Sequence, residues 1–430
     1  MSFDRRSRYR PLTIRDLPEL AARFGFTDDQ VLEMRAVAEV LPFRTNSYVV
    51  EELIDWSAVP DDPIFRLTFP QPGMLPSPAL AEIVRLLSTQ APRMEIERSI
   101  RDIRAGFNPH PDDQLNLNVP TLDGRPLPGL QHKYPETVLF FPSAGQTCHA
   151  YCTFCFRWPQ FIGEPGLRIS ATGVGDLIRY LQSKPQVSDV LITGGDASSM
   201  SAAVLARYIE PLLTIESVTT IRLGTKSLAF WPYRFTHDRD ADDLLRLFEK
   251  VVRSGRHLAV MAHFSHPREL STQVARDAIT RVRSTGATIR AQAPLIRGIN
   301  DSAQCWARLW TDSTRLGIVP YYFFIERDTG AQHYFAVPLA RAFEIFRDAY
   351  AQVSGLARTV RGPIMSASPG KVSIDGIVEV AGEKVFALRF LQARRQDWVG
   401  RPFFAAFDPQ ATWFTDLKPA LGATALHPGA

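Results

Sequence analysis

Six short apolar runs, each followed by an amphipathic stretch, recur between residues 134 and 353. The runs are VLFFPS (138–143), DVLITGG (189–195), TTIRLGT (219–225), HLAVMAHF (257–264), TIRAQAPL (288–295) and IVPYYFFI (318–325). The stretches between them predict helices near 173–184, 201–213, 241–254, 268–285, 301–316 and 338–353. Strands joined by helical crossovers lie parallel, and the crossovers are right-handed. The prediction is an α/β chain built on a partial TIM-type (β/α)6 barrel, whose chemistry would collect at the C-terminal ends of the strands. A flat doubly wound sheet fits the same rhythm.

The flanks read differently. Residues 1–132 form a mostly helical N-terminal region, in which PLTIRDLPELAARFG and TDDQVLEMRAVAEVL read as capped amphipathic helices. PDDPIFRLTFPQPGMLP and NPHPDDQLNLNVPTLDGRPLPGL read as extended, turn-rich connections. The barrel is expected over 133–365. Residues 366–430 form a C-terminal segment with a hairpin (GIVEVAG, EKVFALRF) and an irregular tail. A net charge of +4 on 430 residues gives no reason to expect nucleic acid or a membrane as partner. The start, MSFDRRSRYRPLTIRD, lacks the apolar core of a signal peptide, and no run is long enough to span a bilayer, so the expected location is the cytoplasm.

Of four cysteines, three fall within eight residues, in TCHAYCTFCFRW, and Cys305 stands alone in a predicted helix as an apolar filler. A disulfide framework would spread its pairs along the chain; a tight odd cluster suggests metal or redox work. Cys148, Cys152 and Cys155 follow an apolar strand at Cys-x3-Cys-x2-Cys spacing. Three thiolates on one loop hold three corners of a cubane [4Fe–4S] cluster and leave one iron open to a small molecule. Phe154 and Phe156 would shield it from water. Zinc is the competing metal, but it usually takes CxxC pairs and a fourth ligand, for which only the adjacent His149 offers itself.

The segments HKYPETVLFF, CHAYCTFCFRW, VSDVLITGGDA, IRLGTKSLAFWPYRFT, AHFSHPREL, RAQAPLIRGIND and VPYYFF stand in an order that resembles the lysine 2,3-aminomutase family of radical S-adenosylmethionine enzymes. That family includes the aminomutase acting on elongation factor P, and the resemblance covers roughly residues 60–375. It implies that the methionine end of S-adenosylmethionine caps the open iron. An electron from the cluster then breaks a C–S bond and yields a 5′-deoxyadenosyl radical. Gly194, Gly195 and Asp196 would touch that methionine end; read alone, they are a tight turn with Asp196 as an N-cap. His263 would face the nucleoside and Gln292 would point inward, while His266 is structural and Asn300 or Asp301 caps the next helix. Arg157 would pair with the substrate's α-carboxylate through its planar fork.

The resemblance also implies pyridoxal 5′-phosphate on a lysine that follows the last barrel strand. IMSASPGKVSIDG makes Lys371 that lysine; read alone, it is a surface lysine after a Pro-Gly turn. Lys133 would hold the phosphate, and Thr137 and Lys226 stand where the family has further arginines. The family's two-aspartate clamp for a lysine substrate is absent: YYFFIERDTG offers Arg327 in one register and Glu326 in the other, with Asp328 nearby, and the second position falls at Met365 or Ser366. The implied reaction moves an amino group from C2 to C3 of an amino acid other than free lysine, with an acidic side chain such as that of glutamate favoured by Arg327. The alternative is a pyridoxal-free radical enzyme that dehydrogenates, epimerises or otherwise modifies a small substrate; a pure electron-transfer protein has little use for an open iron. A flavodoxin or ferredoxin would supply the electron. Family members are often homo-oligomers, though the chain carries no coiled-coil seam.

Overall fold

The computed structural model describes residues 8–427; residues 1–7 of the charged start and 428–430 of the tail lie outside them. One eleven-stranded sheet organises the chain. Its strands are β1 (Leu130–Tyr134), β2 (Thr137–Phe140), β3 (Asp189–Ile192), β4 (Thr220–Thr225), β5 (His257–His263), β6 (Thr288–Leu295), β7 (Val319–Ile325), β8 (Arg361–Ala367), β9 (Gly370–Val380), β10 (Glu383–Ala393) and β11 (Pro402–Ala406). Each pairs with its neighbours in sequence. From β2 to β8 every pairing is parallel. The hairpin β1–β2 and the strands β8 to β11 add antiparallel margins.

The six strands expected from the β/α rhythm are β2 to β7. The six expected helices lie at Gly175–Gln182, Ala202–Ile209, Ala241–Arg253, Gln273–Ser284, Ala303–Arg315 and Leu339–Ala351. Apolar periodicity explains them: Ala241–Arg253 buries Leu244, Leu247, Phe248 and Val251, the i, i+3, i+4, i+7 stripe of a helix lying on a sheet. β8 is a seventh parallel strand, hidden in the sequence because RGPIMSA opens with Gly and Pro, which weaken a strand signal. The hairpin β9–β10 is longer than its two apolar runs suggest, and β11 lies between that hairpin and the irregular tail, where no strand was expected. In the N-terminal region both expected helices form, at Leu17–Phe24 and Asp28–Val40. The stretch read as extended also holds a helix, Pro63–Thr68, because buried Asp62 accepts hydrogen bonds from the Ile64 and Phe65 amides at 2.9 and 2.8 Å and Pro63 suits the first turn.

Along β6 the odd positions 289 to 295 are fully buried, while Thr288, Arg290, Gln292 and Pro294 keep partial exposure. β3 and β4 alternate in the same way, with Asp189 and Arg222 in the less buried row. A parallel sheet covered on both faces is normally apolar throughout. Here one face carries charge and polarity, so it lines a working interior. The sheet curls around that interior: Lys133 of β1 donates to the Ala367 carbonyl at the end of β8, and β1 touches β10. Among the described residues no helix is long and apolar enough to cross a membrane.

Candidate functional site

β2 ends at Phe140, and the loop that follows carries the three cysteines. Anchors from the N-terminal region hold it. The Tyr151 amide donates to the Arg44 carbonyl at 2.8 Å and the Thr153 amide to the Leu67 carbonyl at 3.0 Å. Asn46 Nδ2 and the Tyr9 hydroxyl both donate to the His149 carbonyl, at 3.1 and 2.9 Å. Arg44 donates to the Thr147 hydroxyl and lies over the Tyr151 ring. Sequence reasoning missed these residues. Thr45 and Asn46 are both fully buried, and a buried polar pair in a short strand is a signal that only the fold displays.

Cys148, Cys152 and Cys155 share one pocket, where burial pushes all three thiols up and the neighbouring thiols add to the effect at Cys148 and Cys152. Three thiolates at such close quarters need a cationic partner. Among the described residues no three His, Cys, Asp or Glu side chains converge tightly enough for a single metal ion. A cubane asks for less convergence, because each thiolate binds a different iron. His149, the one fourth ligand zinc could have used, is buried with its Nδ1 on the Ser227 hydroxyl at 2.8 Å. The cysteine loop therefore fits the cluster better than it fits zinc.

β3 ends in Thr193-Gly194-Gly195-Asp196, packed directly against the cysteine loop. Gly194 adopts φ +123°, which disfavours any side chain, and a Cβ there would meet Gln146 at 2.1 Å. A Cβ on Gly195 would meet the Thr147 amide nitrogen at 2.4 Å and the Gly145 carbonyl oxygen at 2.6 Å. Gly195→Ala is expected to displace the loop, giving a protein with wild-type far-UV circular dichroism and less than about a tenth of the iron taken up on anaerobic reconstitution, since backbone cannot yield as a side-chain tip does. Normal iron content in that variant would sink the packing argument.

Asp196 caps the short turn Ala197–Ser199, as the turn reading of the sequence expected. Its carboxylate accepts from the Ser198 amide (2.8 Å), the Thr225 hydroxyl (2.7 Å), the Lys226 amide (2.7 Å) and the Ser227 hydroxyl (3.0 Å). Its own amide donates to the Thr147 carbonyl at 2.8 Å. With four donors the acceptor capacity of a carboxylate is filled. Asp196 thus ties the glycine turn to β4 and to the cysteine loop.

His263 ends β5 and its Nε2 meets Gln292 Nε2 of β6 at 2.9 Å, so the imidazole nitrogen accepts from the amide. Burial, then Lys226 and Arg157, push His263 down to about 3, so the ring is neutral. Lys226 lies in this part of the site, paired with the fully buried Glu269 at 2.6 Å. Asn300 does not cap the next helix, nor does Asp301. Asn300 bridges strand ends, donating to the Ser265 and Pro294 carbonyls at 2.9 and 3.0 Å, and Ser302 is the cap, accepting from the Cys305 amide at 3.2 Å. His266 caps the short turn Pro267–Leu270.

A line of basic groups runs from here through the interior. The Arg157 guanidinium lies over Phe141 and Phe156, at 4.5 and 4.8 Å from the ring centres, and makes no hydrogen bond or ion pair among the described residues. Arg327 reaches the same Phe156 ring at 6.0 Å and pairs with Asp112 at 2.7 Å. Of the residues between which the sequence left the register open, Arg327 reaches the cysteine loop, while Glu326 is buried beside Arg297 with neither carboxylate oxygen hydrogen-bonded. Lys133 follows, its amine pushed down to about 7 by burial and then by Arg327 and Arg394.

Lys371 sits at the far end of the line, nearer the N-terminal ends of β3 and β4. It stands on β9 in register with Ser366 and Gln392, beside an irregularity in the β9–β10 pairing between Lys371 and Val372. Its amine donates to Gln392 Oε1 at 2.8 Å and lies over Tyr322 and Tyr134. Burial, then Arg222 and Arg361, push it down to about 7. A buried amine that is half-deprotonated at neutral pH fits an imine-forming lysine. Arg222 and Arg361 are the cations that act on Lys371, and Arg222 is paired with Asp189 at 2.8 Å. Thr137 is buried at the start of β2, and Lys226 is committed to Glu269 and stands apart from this group.

The chain is 32% identical to a protein of Aquifex aeolicus that provisionally carries the name L-lysine 2,3-aminomutase, over 90% of this chain and 91% of that one. It is 31% identical to the L-lysine 2,3-aminomutase of Fusobacterium nucleatum, over 54% of this chain and 52% of that one, so this match spans about half of that relative's length. Glutamate 2,3-aminomutase of Clostridioides difficile is 25% identical over 53% of this chain and 51% of its own. Among solved structures, a radical SAM methyltransferase from Sphaerobacter thermophilus aligns over 81% of this chain and 93% of its own at 15% identity, with a TM-score of 0.38, too loose a likeness to carry an argument. No family model matches.

Proposed function

Because this chain belongs to the lysine 2,3-aminomutase family of radical S-adenosylmethionine enzymes, we propose that it is an amino-acid 2,3-aminomutase with its cluster on Cys148, Cys152 and Cys155. The observation that carries the reading is the convergence on one interior of three half-buried cysteines, the His263–Gln292 pair and the unpaired Arg157 fork. We read the curled sheet as the partial barrel that encloses them. The cluster, when bound, supplies the electron that cleaves S-adenosylmethionine to a 5′-deoxyadenosyl radical. The chain's own residues do the rest. The Gly194-Gly195 turn lets the methionine end approach the backbone, the neutral His263 and Gln292 present polar edges to the nucleoside, and Arg157 holds the substrate's α-carboxylate near the cluster. Phe141 and Phe156 flank Arg157 and keep water from the radical. A small electron carrier such as a flavodoxin or ferredoxin is the proposed reductant. Anaerobically reconstituted protein should release 5′-deoxyadenosine when given S-adenosylmethionine and dithionite; no release would remove the proposal.

Pyridoxal 5′-phosphate would be held by Lys371, with Arg222, Arg361 and Lys133 toward its phosphate. Its ring would stabilise an unpaired electron while the nitrogen migrates. Lys371 is charged below about pH 7 and neutral above it, so incorporation should rise with pH through about 7. Borohydride reduction followed by peptide mass analysis, run from pH 6 to 8, checks this. A specific observation favours a second reading: the Lys371 amine is already hydrogen-bonded to Gln392 Oε1. If no pyridoxal is trapped on Lys371 at any pH, the reaction is one of the pyridoxal-free radical modifications.

A further inference from the structure

The polar lining of the interior specifies what the substrate must carry besides its α-carboxylate. Four cations face the region beyond Arg157: Arg327, Lys133, Arg394 and, farther along, Lys371. Two carboxylates answer them. Asp112 pairs with Arg327 at 2.7 Å and also faces Lys133 and Arg394. Asp328 stands 4.0 Å from Arg327 Nε, with its own acid pushed up by burial and one oxygen without a hydrogen bond. Arg327 Nε is buried and unbonded, and the Lys133 amine has only the Ala367 carbonyl and the Tyr134 ring. Arg157 has rings alone. The balance is positive, with donors left over.

An ammonium-ended side chain placed here would meet like charge in a desolvated space, which is strongly unfavourable. A second carboxylate would meet the opposite: the Arg327 guanidinium, whose Nε–H makes no hydrogen bond. Arg157 and Arg327 lie over one phenyl ring, at 4.8 and 6.0 Å from its centre. That shared ring keeps the two forks within a span that a short dicarboxylate can bridge. The Phe156 ring that they share offers apolar surface to the intervening carbons.

Taking the site as the one proposed above, we infer that the substrate is a short-chain amino dicarboxylate, with one carboxylate on Arg157 and the second on Arg327. Arg327 is then the residue that sets specificity against lysine.

The test is binding without reductant, so that it does not depend on turnover. Anaerobically reconstituted full-length protein with S-adenosylmethionine is titrated calorimetrically with L-glutamate, L-aspartate, L-glutamine and L-lysine. L-Glutamate or L-aspartate is expected to bind at least ~10-fold more tightly than both L-glutamine, the neutral isostere of glutamate, and L-lysine, the scale of one charge-assisted pair. Arg327→Gln should erase the preference for glutamate over glutamine. If that variant does not fold, the wild-type ratio decides by itself. Tighter binding of L-lysine, equal binding of glutamate and glutamine, or no binding by any of the four overturns the inference. Failure of the function proposal is read separately, as the absence of 5′-deoxyadenosine from reduced wild type.

Discussion

Replacing Cys152 with alanine will abolish both iron–sulfur absorbance after anaerobic reconstitution and reductive cleavage of S-adenosylmethionine, to the background of buffer without protein. The expectation rests on the count of ligands. Three thiolates leave one iron open, and two cannot hold the cubane while keeping that iron free. The loss should leave the fold intact, because Cys152 is half-buried, contributes one backbone acceptor to the Cys155 amide at 3.1 Å and makes no side-chain hydrogen bond on which the loop depends. Cys305→Ala is the internal control. That thiol lies in the helix Ala303–Arg315, and its removal should change neither readout. A Cys152→Ala protein that still formed a stable cluster and cleaved S-adenosylmethionine would show that other residues hold the iron.

Asp196→Ala will cost the apo protein several kcal/mol of stability, with loss of cluster uptake as a consequence rather than a cause. The carboxylate is 2% exposed and satisfies two amides and two hydroxyls. The hydroxyls of Thr225 and Ser227 can turn to other acceptors, but the amides of Ser198 and Lys226 cannot. Each buried N–H left unpaired costs roughly 1–3 kcal/mol, against a total stability of about 5–15 kcal/mol for an ordinary domain. Asp196→Asn keeps the shape and one oxygen, so it should fall between wild type and alanine. Urea denaturation of the three apo proteins measures the series. An alanine variant with a wild-type midpoint would mean that water replaces the carboxylate and that Asp196 is free for another role.

The amino-acid sequence by itself determined the parallel β/α order, the cysteine loop after the first parallel strand and the family. Apolar periodicity and the Cys-x3-Cys-x2-Cys spacing are local quantities, written in consecutive residues. The parts that failed to read locally are those in which one residue answers to a distant one. The helix Pro63–Thr68 was masked by surrounding prolines, and the strand Arg361–Ala367 by its own Gly and Pro. Arg44, Asn46 and Tyr9 look like ordinary N-terminal residues until the fold brings them to the backbone of the cysteine loop. Asp196 belongs to a motif that suggests ligand contact, yet its partners at 225, 226 and 227 fill its oxygens. The choice between Glu326 and Arg327 was likewise undecidable from spacing, because adjacent strand-end residues point to opposite sides and only the packing says which side is inside. The tertiary structure puts Arg327 over Phe156 beside Arg157 and buries Glu326 with neither carboxylate oxygen hydrogen-bonded.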